Sequence, residues 1–143
     1  MLIYGVCISD IKAINEDRAL ELLKKYSAVN PDPYNNYLES KDADGEQVTF
    51  DTWCYDYENN GHFGLSALLS DIIQDLEGID IVCDDPNGIH FLGISADVPW
   101  HYNQKTRSLS HEEYQRIMAE YISQITDEIL PLRWWHVQDD CGY

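Results

Sequence analysis

The sequence predicts an α+β domain built on a single sheet with three helices, and three observations predict it. Three segments repeat apolar residues at helical spacing, five others alternate or run apolar over strand length, and the eight elements follow one another as β-α-β-α-β-β-α-β. A single sheet with its helices on one face would bury the apolar stripes of all three helices. From residue 46 onward the order is βαββαβ, which matches the ferredoxin-like split unit. The chain of 143 residues is most simply one domain, 1–143, with no internal repeat and no linker.

Leu2–Ser9 is apolar and rich in β-branched and aromatic residues, which predicts a buried strand. Asn15 is a helix N-cap, and Glu16 and Asp17 suit the positive end of the helix dipole. Ala19, Leu22, Leu23 and Tyr26 then trace an amphipathic face, with Lys24 and Lys25 in the last turn. Asn30–Gly45 reads as a loop blocked from helix by Pro31 and Pro33, with Tyr34, Tyr37 and Leu38 as candidate anchors. Glu46–Glu58 alternates Val48, Phe50 and Cys54 against Trp53, Tyr55 and Tyr57, which predicts a strand with apolar content on both faces.

Asn59-Asn60-Gly61 predicts a turn. Leu65, Leu68, Leu69, Ile72, Ile73 and Leu76 give the strongest helical pattern of the chain, closed by Gly78 as a left-handed cap. Ile79–Cys83 and Gly88–Ser95 flank the turn Asp85-Pro86-Asn87-Gly88 and predict a hairpin. Ala96–Leu109 is irregular and carries Pro99-Trp100, a possible anchor for a partner. Ser110 and Glu113 form a capping box ahead of Tyr114, Ile117, Met118, Tyr121, Ile122 and Ile125. Leu132–Gln138 alternates as a last strand, and Asp139–Tyr143 is a tail. Trp134 and Trp135 are adjacent on that strand and so face opposite sides. With helices on one face only, one of them would sit on an open face.

Charge is the other strong signal. The formal net charge is −17, and Asp42 to Gln104 holds thirteen acids and no Lys or Arg. A field of that sign disfavours nucleic acid and anionic membranes as direct partners and favours a basic protein surface. The hydrophobic content of 44% and the ten Tyr and four Trp exclude an acidic disordered tail. Cys7, Cys54, Cys83 and Cys141 have no zinc-type or C-x-x-C spacing, and three of them fall in apparent strands as small buried hydrophobes. No apolar run reaches membrane-spanning length and no signal peptide is visible, so the expectation is a cytoplasmic protein with reduced thiols.

Asp71 and Asp75 lie one helical turn apart, roughly 5–6 Å between Cβ atoms, on the polar face of the central helix. That is the scale on which neighbouring phosphates present charge. Asp84 and Asp85 at the hairpin tip and Asp42, Asp44 and Glu46 in the loop extend the same sign. With Trp100 and Trp135 as aromatic anchors, these residues are the candidate partner-binding set. No nucleophile motif is present, so no catalytic residue is assigned. Asp84, Asp85 and Asn87 crowd one turn without the calcium-loop pattern, so no metal and no cofactor is predicted. Among the histidines, His90 and His136 lie on strands that would let them meet across the sheet, and His111-Glu112 sits at a helix start.

At Gly64–Ile73 (GLSALLSDII), at Pro99-Trp100 and again over Leu109–Tyr121, the chain resembles small uncharacterised acidic proteins carried on phages and conjugative elements of gut-type anaerobic bacteria. The likeness covers the last 80 or so residues and its motifs are structural. It implies a mobile-element setting, in which small acidic proteins inhibit host defence nucleases. The resulting expectation is a non-enzymatic inhibitor of anti-CRISPR or anti-restriction type. It would dock as a nucleic-acid mimic on the basic nucleic-acid-binding surface of a host effector. Two other readings fit the same residues. One is a small metal-dependent hydrolase around His62, His90 and Asp84; the other is an oligomerising accessory protein, a homodimer for example, built on an open sheet face around Trp134 and Trp135.

Overall fold

A computed structural model describes residues 2–59, 64–84, 89–95 and 102–137, with the side chains of 55–59 and 84 outside the description. The predicted turns around 59–61 and 85–88, the Pro99-Trp100 segment and the tail fall wholly or largely outside these residues. The described elements are six helices and a four-stranded antiparallel sheet, an α+β fold on a single sheet.

Strand β1 (Leu2–Cys7) runs into a short 3-10 turn (Ile8–Asp10). Helix α1 (Glu16–Tyr26) starts where Asn15 places its side-chain oxygen 3.2 Å from the Arg18 N–H and buries Ala19, Leu22, Leu23 and Tyr26, as the pattern predicts. Helix α4 (Leu65–Glu77) ends at Gly78, whose φ of 70° is the left-handed cap. Helix α6 (His111–Ser123) is capped by Ser110, which accepts the Glu113 N–H at 3.1 Å. Strands β2 (Val82–Asp84) and β3 (Phe91–Ser95) pair antiparallel as the predicted hairpin, and β4 (Arg133–His136) is the last strand.

Three helices arise where the sequence predicts none, so the described helices number six rather than three. Helix α3 (Phe50–Asn59) replaces the predicted strand Glu46–Glu58. Phe50, Trp53 and Cys54 fall at i, i+3, i+4 as well as alternating, and the helical period prevails because the chain supplies a start. Thr49 accepts the Thr52 N–H at 3.2 Å, and the Glu16 carboxylate takes the Phe50 and Asp51 N–H groups at 2.8 and 3.0 Å. Helix α2 (Asp32–Glu39) occupies the predicted loop. Pro31 and Pro33 stand at its very start, where a missing N–H has no intrahelical partner to lose. Helix α5 (Gln104–Ser108) is a single turn capped by Asn103. The loss of the strand at 46–58 also removes the first strand of the ferredoxin-like unit, and Cys54 is a helical core residue rather than a strand one.

The sheet order is β2-β3-β1-β4, with β1 in the interior and every neighbour antiparallel. Both faces of β1 are buried. Tyr4 and Val6 face the helices, in one cluster with Leu68, Leu69, Ile72, Ile73, Ile117 and Met118. Ile3 and Cys7 face the other way, in a second cluster with Phe91, Trp135 and Val137. The second face is therefore not open.

Gly5 pairs with Gly93 on that second face. The two strands approach so closely there that a Cβ on Gly5 would run into the Leu92 carbonyl and one on Gly93 into the Tyr4 carbonyl. The Trp135 indole lies against the bare backbone, donating from Nε1 to the Gly5 carbonyl at 2.9 Å and meeting Phe91 at a ring-centroid distance of 5.3 Å. Because the obstructing atoms are backbone, Gly5→Ala is expected to cost about 1–3 kcal/mol or more of overpacking strain. Denaturant titration measures this; a variant as stable as the parent would contradict the close approach.

Candidate functional site

The acidic residues sort into two populations. Some carboxylates are turned inward to hold the fold. Glu16 clamps the start of α3 as described. Asp80 accepts the Asn103 N–H at 2.6 Å and the Thr106 hydroxyl at 3.1 Å, fixing α5. Glu128 accepts the Lys12 and Ala13 N–H groups at 2.8 and 3.0 Å and the Thr126 hydroxyl at 3.1 Å. The backbone N–H of Ala13 leads the interactions that hold the Glu128 carboxyl below its ordinary range. Glu77 accepts from the Tyr121 hydroxyl at 3.1 Å. Sequence reasoning gives Glu16 only a place in the first turn of α1 and the others no role, because the decisive partners Phe50, Asn103, Lys12 and Tyr121 lie 23 or more positions away.

Other carboxylates face outward, and the candidate set is found mainly among these. Asp42, Asp44 and Glu46 share one exposed turn, closed by a Lys41–Gln47 bridge and by Gly45 at a φ of 78°. Asp42 Oδ1 accepts the Asp44 and Glu46 N–H groups at 2.9 and 3.0 Å, so Asp42 also builds the turn. The Asp44 and Glu46 side chains are exposed and make no hydrogen bond or ion pair to a described residue. Asp71 and Asp75 are both exposed on α4. No described hydrogen bond, ion pair or ring contact links this pair to the 42–46 turn. What the two groups share is α1, which packs against α2 and reaches α4 through Tyr26. Asp84 ends β2 with its side chain outside the described residues, and Asp85 and Trp100 lie outside them altogether.

Trp135 corrects the expectation. It is 8% exposed, bonded to Gly5, with the Arg133 guanidinium 3.6 Å from its ring centroid. It belongs to the core, not to a partner surface. Its neighbour Trp134 is 46% exposed.

Among the described residues the cations form few ion pairs with the outward carboxylates. All nine Lys and Arg fall among the described residues, where the ion pairs are Arg18–Asp127 and Arg116–Glu120. Lys41 donates to the Gln47 side-chain carbonyl at 3.1 Å, Lys105 to the Glu77 backbone carbonyl, and Arg133 to the Trp134 carbonyl at 3.0 Å.

The histidines do not assemble as expected. His136 pairs with Leu2, whereas the His90 carbonyl takes the Ile8 N–H, so the two lie at opposite ends of β1, about 20 Å apart. His62 and His101 lie outside the described residues. His90 Nδ1 is 3.4 Å from the Ser66 hydroxyl beside a cleft of about 290 Å³ that Lys12, Asp51 and Cys54 also line. Burial pushes the Cys54 thiol well above its ordinary range, so it stays protonated at neutral pH. Among the described residues no three His, Cys, Asp or Glu side chains converge as a metal site would require.

Tyr26 links the acidic helix face to the core. Its hydroxyl donates to Asp75, and burial together with that carboxylate pushes the phenol up from 10.0 to about 12. The raised value means the folded state keeps this proton longer than the unfolded chain. Its contribution to stability is complete below about pH 10 and is lost as pH rises toward about 12. Tyr26→Phe should therefore show a shallower fall in stability across that window than the parent, measured by denaturant titration at several alkaline pH values. Identical slopes would contradict the contact.

Among the described residues no helix is long and apolar enough to cross a membrane. No protein-family model, no curated protein and no solved structure matches the chain significantly.

Proposed function

We propose that this chain is a non-enzymatic acidic binding protein that docks on a basic, nucleic-acid-binding surface of another protein and competes there with nucleic acid. The carrying observation is the uncompensated outward charge: a net −17, with two ion pairs among the described residues and none involving Asp44 or Glu46. Such a field attracts a cationic groove from beyond contact distance and repels polyanions. The paired carboxylates of Asp71 and Asp75, one turn apart on a rigid helix, support the role of a phosphate-backbone mimic. The turn 42–46 supplies a second point of contact. The resemblance to acidic proteins of phages and conjugative elements supports an inhibitor of a host CRISPR or restriction effector.

Asp44 and Glu46 suit a test by charge reversal, because the internal bonds of Asp42 and Asp75 would confuse loss of fold with loss of binding. The double change to Lys brings the formal charge from −17 to about −13. Candidate host nucleases immobilised on a sensor surface, with duplex DNA as competitor, provide the readout. The expected result is association at least about tenfold slower for the variant, and a parent on-rate that falls steeply with added salt. Binding unaffected by both the double change and salt, or lack of competition with DNA, would overturn the reading.

A further inference from the structure

We propose that the recess between β4 and the start of α6 is a binding site for a methylated ammonium group. Tyr4, Tyr114, His111 and the half-exposed Trp134 line this recess of about 210 Å³. Tyr4 sits at the centre of the rings, with centroids 4.8 Å from His111, 5.0 Å from Trp134 and 5.5 Å from Tyr114, all tilted by 40–51°. A recess lined by aromatic rings attracts a cation through the negative charge that each ring carries on its face.

Three of the four rings are held by hydrogen bonds. Tyr4 Oη lies 2.8 Å from His111 Nε2 and accepts from Gln115 Nε2 at 3.1 Å. The Tyr114 hydroxyl donates to the Tyr4 carbonyl at 2.5 Å. Trp134 is the cross-strand partner of Tyr4 on the edge strand, at the flank of α6, and its exposed ring takes no part in the core clusters.

The chemistry of the lining selects the ligand. A bare ammonium sheds water only when hydrogen-bond acceptors replace it. The four hydroxyls of the lining residues are already engaged: Ser110 accepts the Glu113 N–H, Thr106 bonds Asp80 and Asn103, Tyr4 pairs with His111 and Gln115, and Tyr114 donates to the Tyr4 carbonyl. A trimethylated nitrogen needs no such acceptors and keeps its positive charge. An anionic group would meet both the ring faces and the net −17. The assignment is independent of the docking role proposed above, since none of those carboxylates lines the recess.

The test is an NMR titration of the full chain with choline and with its neutral carbon isostere 3,3-dimethylbutan-1-ol, at about 150 mM NaCl to screen long-range attraction. The expected result is saturable shifts of the Trp134 indole N–H and the Tyr4 ring, with choline binding about tenfold or more tighter than the alcohol. Trp134→Leu should abolish the effect and Trp134→Phe retain part of it, both with an unchanged far-UV spectrum. Phosphocholine and free trimethyllysine against lysine distinguish the source of the group. Tighter binding of either one than of choline names a headgroup or a modified side chain. Equal binding of choline and the alcohol, equal binding of lysine and trimethyllysine, non-saturating shifts, or binding that survives Trp134→Leu would each overturn the proposal.

Discussion

Carboxylates that accept backbone N–H groups hold this molecule together where a more balanced sequence would use ion pairs. Glu16 joins the start of α1 to the start of α3, and Asp80 joins the end of α4 to α5. Glu128 joins the segment after α6 to the one after β1. Glu16 and Glu128 each satisfy two backbone donors that secondary structure leaves open, and Asp80 satisfies one together with the Thr106 hydroxyl. A hydrogen bond to a charged acceptor of the Glu16 or Asp80 kind contributes about 1.5–3 kcal/mol, against about 0–1 for an exposed salt bridge. A chain with 26 acids and nine bases can therefore stay folded without neutralising itself.

That solution leaves the outer carboxylates free to act at a distance, and it leaves β1 as the mechanical centre. With a neighbour on each side and apolar clusters on both faces, β1 fixes what the two tryptophans of β4 can do. Trp135, opposite Ile3, falls onto the bare backbone of Gly5 and is consumed by packing. Trp134, opposite Tyr4, emerges at the sheet edge beside α6 and stays half-exposed. One residue of register separates a core residue from a surface one.

What was legible in the sequence was local. Asn15, Ser110 and Gly78 mark helix ends through bonds within four residues, so α1, α4 and α6 follow from pattern alone. The hairpin of β2 and β3 follows from its turn. Helix α3 was hidden because Phe50, Trp53 and Cys54 satisfy both the helical period and the alternation of a strand, and its deciding cap comes from Glu16, 34 residues earlier. Helix α2 was hidden because prolines that stop a helix also start one. At the surface, the concentration of acids was legible, but their division into inward clamps and outward charge was not. That division depends on partners such as Asn103 for Asp80 and Ala13 for Glu128, which only the folded chain brings near.

The central claim is that the outward negative charge is not compensated within the molecule, and the dependence of stability on salt tests it most directly. Thermal unfolding is followed from about 10 mM to about 500 mM NaCl, a range over which the screening length falls from about 30 Å to a few ångströms. Uncompensated carboxylates repel one another, so the account predicts a midpoint that climbs as salt relieves the repulsion, most steeply at the low end. A midpoint that is flat, or that falls as ion pairs are screened, would contradict it.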